Sequence, residues 1–99
     1  MKLRHALTLS LFISGSVFAA TSANTVRTSS RQLISVGDSF AEMNTRIAQS
    51  PISMQTYEKK EGKTTVTVSN YTYEIDQINY TFTVIDKQIR KIEWIRKAP

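Results

Sequence analysis

The chain has 99 residues, with thirteen Lys and Arg against eight Asp and Glu, one histidine and no cysteine. That length suits one domain, and the missing cysteine excludes disulfides, thiolate metal sites and a lipid anchor on cysteine. The formal net charge is +5, of which residues 20–99 carry about +3, a mild excess that permits attraction to acidic surfaces but falls short of a nucleic-acid-binding signature.

The amino-terminal run MKLRHALTLSLFISGSVFAATSA begins with the cationic Lys2 and Arg4. Ala6 to Val17 follows as a mainly apolar stretch interrupted by Ser10, Ser14 and Gly15. It is shorter than the roughly 18–20 residues a spanning helix needs. Val17-Phe18-Ala19 ends it with a small-residue pattern that suits signal peptidase, and Thr21-Ser22-Ala23 offers a second cut. Residues 1–19 therefore read as a secretory signal peptide, which predicts a periplasmic or secreted chain with no transmembrane segment after cleavage near Ala19. Cleavage leaves about 80 residues. A chain of that size has a small core and, without cysteine, no covalent staple.

Residues 20–32, ATSANTVRTSSRQ, are rich in Ser, Thr and Asn and carry one isolated apolar residue, Val26. They read as a flexible leader, with a short helix docked on the sheet as the alternative. The single α+β domain is expected over residues 33–97.

Leu33-Ile34-Ser35-Val36 is a short extended piece. Gly37 lets the chain turn without a Cβ clash. Ser39-x-x-Glu42 fits a capping box, in which the serine oxygen accepts an N–H of the first helical turn and the glutamate reaches back to the cap. Asp38 places negative charge near the positive end of the helix dipole. Phe40, Met43 and Ile47 recur at helical spacing, and Pro51 pushes Ser50 out of the α region, so the spacing predicts a helix over Phe40–Gln49.

Everything after Pro51 reads as sheet. Ile52 to Lys59 alternates only loosely, and Glu61-Gly62 signals a hairpin. KTTVTVSNYTYEI is rich in β-favouring Thr, Tyr and Val. Val66 and Val68 share one parity while Tyr71, Tyr73 and Ile75 share the other. A β-bulge near Ser69-Asn70 would return them to a single inward face. Asp76-Gln77 is the next turn, and INYTFTVI alternates cleanly on Ile78, Tyr80, Phe82 and Val84. Asp86-Lys87 turns the chain again into QIRKIEWIRK. There Ile89, Ile92 and Ile95 are three apart, a helical spacing, but the segment's length and its place after a hairpin favour a strand. The predicted architecture is α+β, one short helix packed on an antiparallel meander of about four strands.

Little in this chain suits catalysis. Its one histidine, His5, leaves with the signal, which removes Ser-His-Asp, Cys-His and ordinary zinc chemistry. Asp38 and Glu42 are accounted for by the helix start. Glu74 and Asp76 sit two apart on a strand, about 7 Å from each other, and read as solvent-facing residues beside a turn. Gly37 and Gly62 belong to no phosphate-binding motif. No catalytic residue, metal ligand or cofactor is expected. Arg90, Lys91, Trp94 and Arg96 are the candidate binding residues. A basic strand bearing tryptophan suits a glycan, a headgroup or an acidic partner, and the alternative is an edge strand guarded by charge. The tyrosines of YTYEIDQINYTF read as half-buried sheet residues or a ligand platform.

The signal peptide, LISVGDSFAEM, a helix ending at QSP and hairpins ending in IRKIEW resemble a family of small secreted bacterial domains of unknown function. More distantly, the pattern is similar to the SmpA/OmlA (BamE-like) and β-lactamase-inhibitor-protein-like domains. Gly37 and Ser39 match the Gly-x-Ser/Thr turn of those families, Glu42 their early acidic position and Pro51 their helix exit. The glycine of their Gly-x-Pro exit is missing from the run Ala48-Gln49-Ser50-Pro51, and Asp86-Lys87 replaces their Gly-Lys turn. The resemblance covers Leu33 to Ile95. It implies a non-enzymatic binding module whose partner is another envelope or secreted protein, or an acidic envelope component, and not nucleic acid. An inhibitor of a secreted enzyme and an outer-membrane assembly accessory are the other roles it implies. A lipid-anchored assembly role does not follow, because the anchoring cysteine is absent.

Overall fold

The computed structural model describes residues 20–97; the segment read as a signal peptide lies outside them. The chain runs through strands β1 (Thr21–Ala23), β2 (Thr25–Arg27) and β3 (Leu33–Ser35), then helix α1 (Phe40–Ile47). Strands β4 (Ser53–Glu61), β5 (Thr64–Ile75), β6 (Ile78–Ile85) and β7 (Gln88–Arg96) complete it. The expected meander is present as β4 to β7. It belongs, however, to a five-stranded antiparallel sheet of order β1-β7-β6-β5-β4, and β2 and β3 form a separate ribbon. Within this mixed α+β fold, the sheet is larger than about four strands.

Two-residue turns join the long strands. Asp76-Gln77 and Asp86-Lys87 adopt positive φ at both positions, as the type I′ hairpin requires, and Gly62 supplies positive φ at the first position of its turn. One face of the sheet carries Tyr71, Tyr73 and Ile75 from β5, Phe82 and Val84 from β6, and Ile89 and Ile92 from β7. The helix and the β2–β3 ribbon cover that face. Met43 and Ile47 of α1 and the cross-strand pair Val26 and Ile34 complete the core. Phe40 packs on Tyr71 with ring centroids 5.0 Å apart, and Tyr73 meets Phe82 edge-on at 5.8 Å. Burial pushes the Tyr73 phenol above its ordinary pKa, with neighbouring Tyr71 adding to the effect.

Three local expectations are corrected. Residues 20–32 are not a flexible leader: β1 pairs with β7, β2 pairs with β3, and Val26 is buried. The polar residues that suggested disorder build the turn between β2 and β3. The Thr28 amide donates to the Gln32 carbonyl at 2.8 Å, and the Gln32 amide donates to the Thr28 hydroxyl at 3.1 Å. The helix ends at Ile47, two residues before Gln49, because Ala48 takes the left-handed conformation (φ 51°). Finally, β5 pairs without a register shift near Ser69-Asn70. Val68 is buried on the face opposite Tyr73, so this strand buries side chains on both faces. The irregularity lies instead where Val84 pairs with Ile89 and Thr83 with Lys91, which makes Arg90 the extra residue. That bulge puts Ile89 and Ile92 on one face despite their three-residue spacing, and it turns Ile95 to the other.

Candidate functional site

The hinge Gly37-Asp38-Ser39 is built into the sheet. The Gly37 amide donates to the Ile89 carbonyl at 2.8 Å, and the Ile89 amide donates back to the Asp38 carbonyl at 2.9 Å. Ser39 forms a bridge with Gln88, and the Phe40 amide reaches the Lys87 carbonyl at 2.8 Å. Gly37 holds φ at +100°, a conformation that side chains disfavour. Ser39 and Glu42 form the capping box in both directions: the Glu42 amide donates to the Ser39 hydroxyl at 3.0 Å, and the Ser39 amide donates to Glu42 Oε1 at 3.2 Å. Asp38 has a role beyond the dipole. Its Oδ2 accepts the Ser35 amide at 2.8 Å and Arg46 Nη1 at 3.1 Å. Arg46 Nη1 also donates to the Leu33 carbonyl at 3.1 Å, and its Nη2 pairs with Glu42 at 3.4 Å. These bonds hold β3, α1 and β7 together. Pro51 lies beyond the left-handed Ala48 and is exposed.

The four candidate binding residues share β7 but not one surface. Arg90 is the bulge residue and pairs with Asp86 at 3.7 Å; Lys91 pairs with Glu93 at 3.7 Å. Lys91 lies on the face away from the core. Trp94 and Arg96 lie on the core face, where Trp94 is half-buried opposite Tyr80 and Thr21. The strand pleat therefore separates Lys91 from Trp94. Nor is β7 an edge strand, since β1 flanks Ile92–Trp94 and the hinge flanks Gln88 and Ile89. Glu74 is occupied by Lys97 at 3.2 Å, and Asp76 sits in a turn.

Of the sheet's two edges, β1 is only three residues long, and the long one is β4. All nine residues from Ser53 to Glu61 are exposed, and β5 is the only strand that pairs with them among the described residues. Ladder alternation tells which backbone groups are unused. A two-residue turn closes on Glu61 and Thr64, which makes that pair hydrogen-bonded, and every second pair after it. Glu61, Lys59, Tyr57, Gln55 and Ser53 therefore bond to β5, whereas Lys60, Glu58, Thr56 and Met54 direct their N–H and C=O groups outward. The charges that guard this edge are confined to Glu58–Glu61. From Ser50 to Tyr57 the chain is uncharged, and Ile52, Met54 and Tyr57 are 57%, 57% and 48% exposed. Sequence reasoning passed over this strand because its alternation is weak. That weakness was the available signal: a strand with little to bury on either face fits an edge.

An open cleft of about 510 Å³ lies where β5 runs beyond β6, lined by Phe40, Thr65, Thr67, Ser69, Tyr71 and Lys87, among others. Asp86 is the one acid among its described lining residues. No group of three or more metal-ligating side chains occurs among the described residues, and no described helix is long and apolar enough to cross a membrane. Compared with protein-family models, curated proteins and solved structures, the chain matches none.

Proposed function

We propose that the protein is a non-enzymatic binding module of the bacterial envelope or secreted fraction that engages protein by adding a strand to β4. The observation that carries this reading is the fully exposed edge strand with an uncharged half and unused backbone groups. Such an edge is a template for another strand: main-chain bonds supply affinity and flanking side chains supply selectivity. The amino-terminal sequence supports the location, and the hinge motif supports the likeness to small secreted binding domains. The non-enzymatic reading is supported by the engagement of Asp38, Glu42 and Glu74 in structural pairs.

Site-directed photo-crosslinking in the producing cell's envelope tests this. Crosslinkers at Met54 and Thr56 are expected to yield protein adducts identifiable by mass spectrometry. Thr56→Pro removes one outward N–H and leaves the β5 bonds in place, as proline on an edge strand can. A crosslinker at Met54 in that background, with the helix and sheet content and Tm retained, is expected to lose its adducts. Adducts that come only from Lys91 or Trp94, or that persist in Thr56→Pro, overturn the reading.

A further inference from the structure

The same edge is self-complementary. We propose that two copies of this chain pair β4 to β4, antiparallel about a two-fold axis through Tyr57, and so join two five-stranded sheets into one. This rests on the reading of β4 as a docking edge and commits that edge to a second copy.

Backbone phase and charge select the register. Centred on Tyr57, all nine residues of β4 overlap. Met54 meets the partner's Lys60 and Thr56 meets the partner's Glu58. These are the outward-bonding residues on both copies, so each pair exchanges both of its main-chain hydrogen bonds. The remaining pairs are Gln55 with the partner's Lys59 and Ser53 with the partner's Glu61. The charged half of each strand thus lies against the uncharged half of the other, and no like charges face each other directly. Tyr57 meets the partner's Tyr57 at a non-hydrogen-bonded position, where cross-strand side chains approach most closely. Lys59 lies diagonal to that ring, within cation–π reach. Neighbouring registers are worse. Centring on Glu58 sets Glu58 against itself, and centring on Lys59 sets Lys59 against itself. Centring on Thr56 leaves Lys60 and Glu61 facing Ile52 and Pro51, outside the strand, and Pro51 has no N–H to give. The strand is also neutral overall, with Glu58 and Glu61 balancing Lys59 and Lys60, so charge repulsion along it does not oppose pairing.

The absence of cysteine makes the test clean. In Tyr57→Cys the two introduced thiols face each other at a non-hydrogen-bonded pair, whose Cα atoms lie about 4.5 Å apart, within the span of a disulfide. In Gln55→Cys they lie four residues apart along the strands, about 13 Å, and do not bond. The protein as the producing cell exports it is used throughout. Mild oxidation is expected to convert Tyr57→Cys to a covalent dimer and to leave Gln55→Cys monomeric. An equal mixture of Gln55→Cys and Lys59→Cys is expected to give the mixed dimer. Wild-type protein is expected to show a concentration-dependent dimer in sedimentation equilibrium. Tyr57→Lys is expected to weaken it about tenfold, by losing the Tyr57 pair and placing like charges opposite each other. Wild type that remains monomeric, or Gln55→Cys that crosslinks as fast as Tyr57→Cys, overturns the dimer. If the wild type is monomeric while envelope crosslinks from Met54 still vanish in Thr56→Pro, the dimer fails and the docking edge stands. Crosslinks that survive Thr56→Pro defeat the docking edge itself.

Discussion

Replacing Asp38 by alanine removes the carboxylate that ties β3 to the helix. In the β2–β3 ribbon, the Val36 amide bonds to the Asn24 carbonyl, so ladder alternation turns the Ser35 amide away from β2. Asp38 Oδ2, at 2.8 Å, is the acceptor it meets. Leaving a partly buried N–H without a partner costs about 1–3 kcal/mol. The Asp38–Arg46 pair, whose side chains are 26% and 33% exposed, adds at most about 1 kcal/mol. Asp38→Ala is therefore expected to destabilise the domain by about 2–3 kcal/mol, and a domain of this size loses about 4–8 °C in Tm per kcal/mol. Asp38→Asn keeps an oxygen acceptor for Ser35 and gives up only the charge, so it is expected to lose about 1 kcal/mol or less. Urea titrations followed by circular dichroism at neutral pH give both values, and a cycle with Arg46→Ala isolates the ion pair. If Asp38→Ala and Asp38→Asn lose the same stability, the amide bond contributes nothing beyond the charge and the reasoning is refuted.

Two further predictions concern the sheet. Deleting Arg90 removes the bulge residue yet keeps Ile89 and Ile92 on the core face, because a regular strand places second neighbours on the same side. That deletion is expected to leave a cooperative melt, whereas deleting Thr81 turns one end of β6 inside out and is expected to abolish folding; the opposite order of stabilities refutes the bulge assignment. Tyr73 gives a prediction about alkaline pH. Its raised pKa means the unfolded chain loses the phenolic proton first, so stability is intact below about pH 10 and falls as pH rises from there through the folded-state value. Tyr73→Phe is expected to shrink that alkaline loss in denaturation titrations run across the same range, and an unchanged pH dependence refutes the assignment to Tyr73.

What the sequence determined by itself is the local chemistry. Gly37 and Ser39-x-x-Glu42 act within a few residues of themselves, so the hinge, the helix start and its apolar stripe were all legible, as were the hairpin turns. The rest depended on partners distant in the chain. Residues 20–32 carry too little apolar surface to order alone, and they fold because β7, some seventy residues on, offers β1 a ladder while β3 pairs with β2 and Val26 enters the core. The parity change in β5 fits either a bulge or a strand that buries both faces, and hydrophobic patterning is the same for the two. Only the pairing with β4 and β6 distinguished them, and it moved the bulge to Arg90. Strand order decided the candidate site in the same way. Charge made β7 look like an edge, but β1 and the hinge flank it, and its pleat divides Lys91 from Trp94. The long free edge is β4, because a strand is an edge through the absence of a neighbour, and the loose alternation of Ile52 to Lys59 agrees with that position without fixing it.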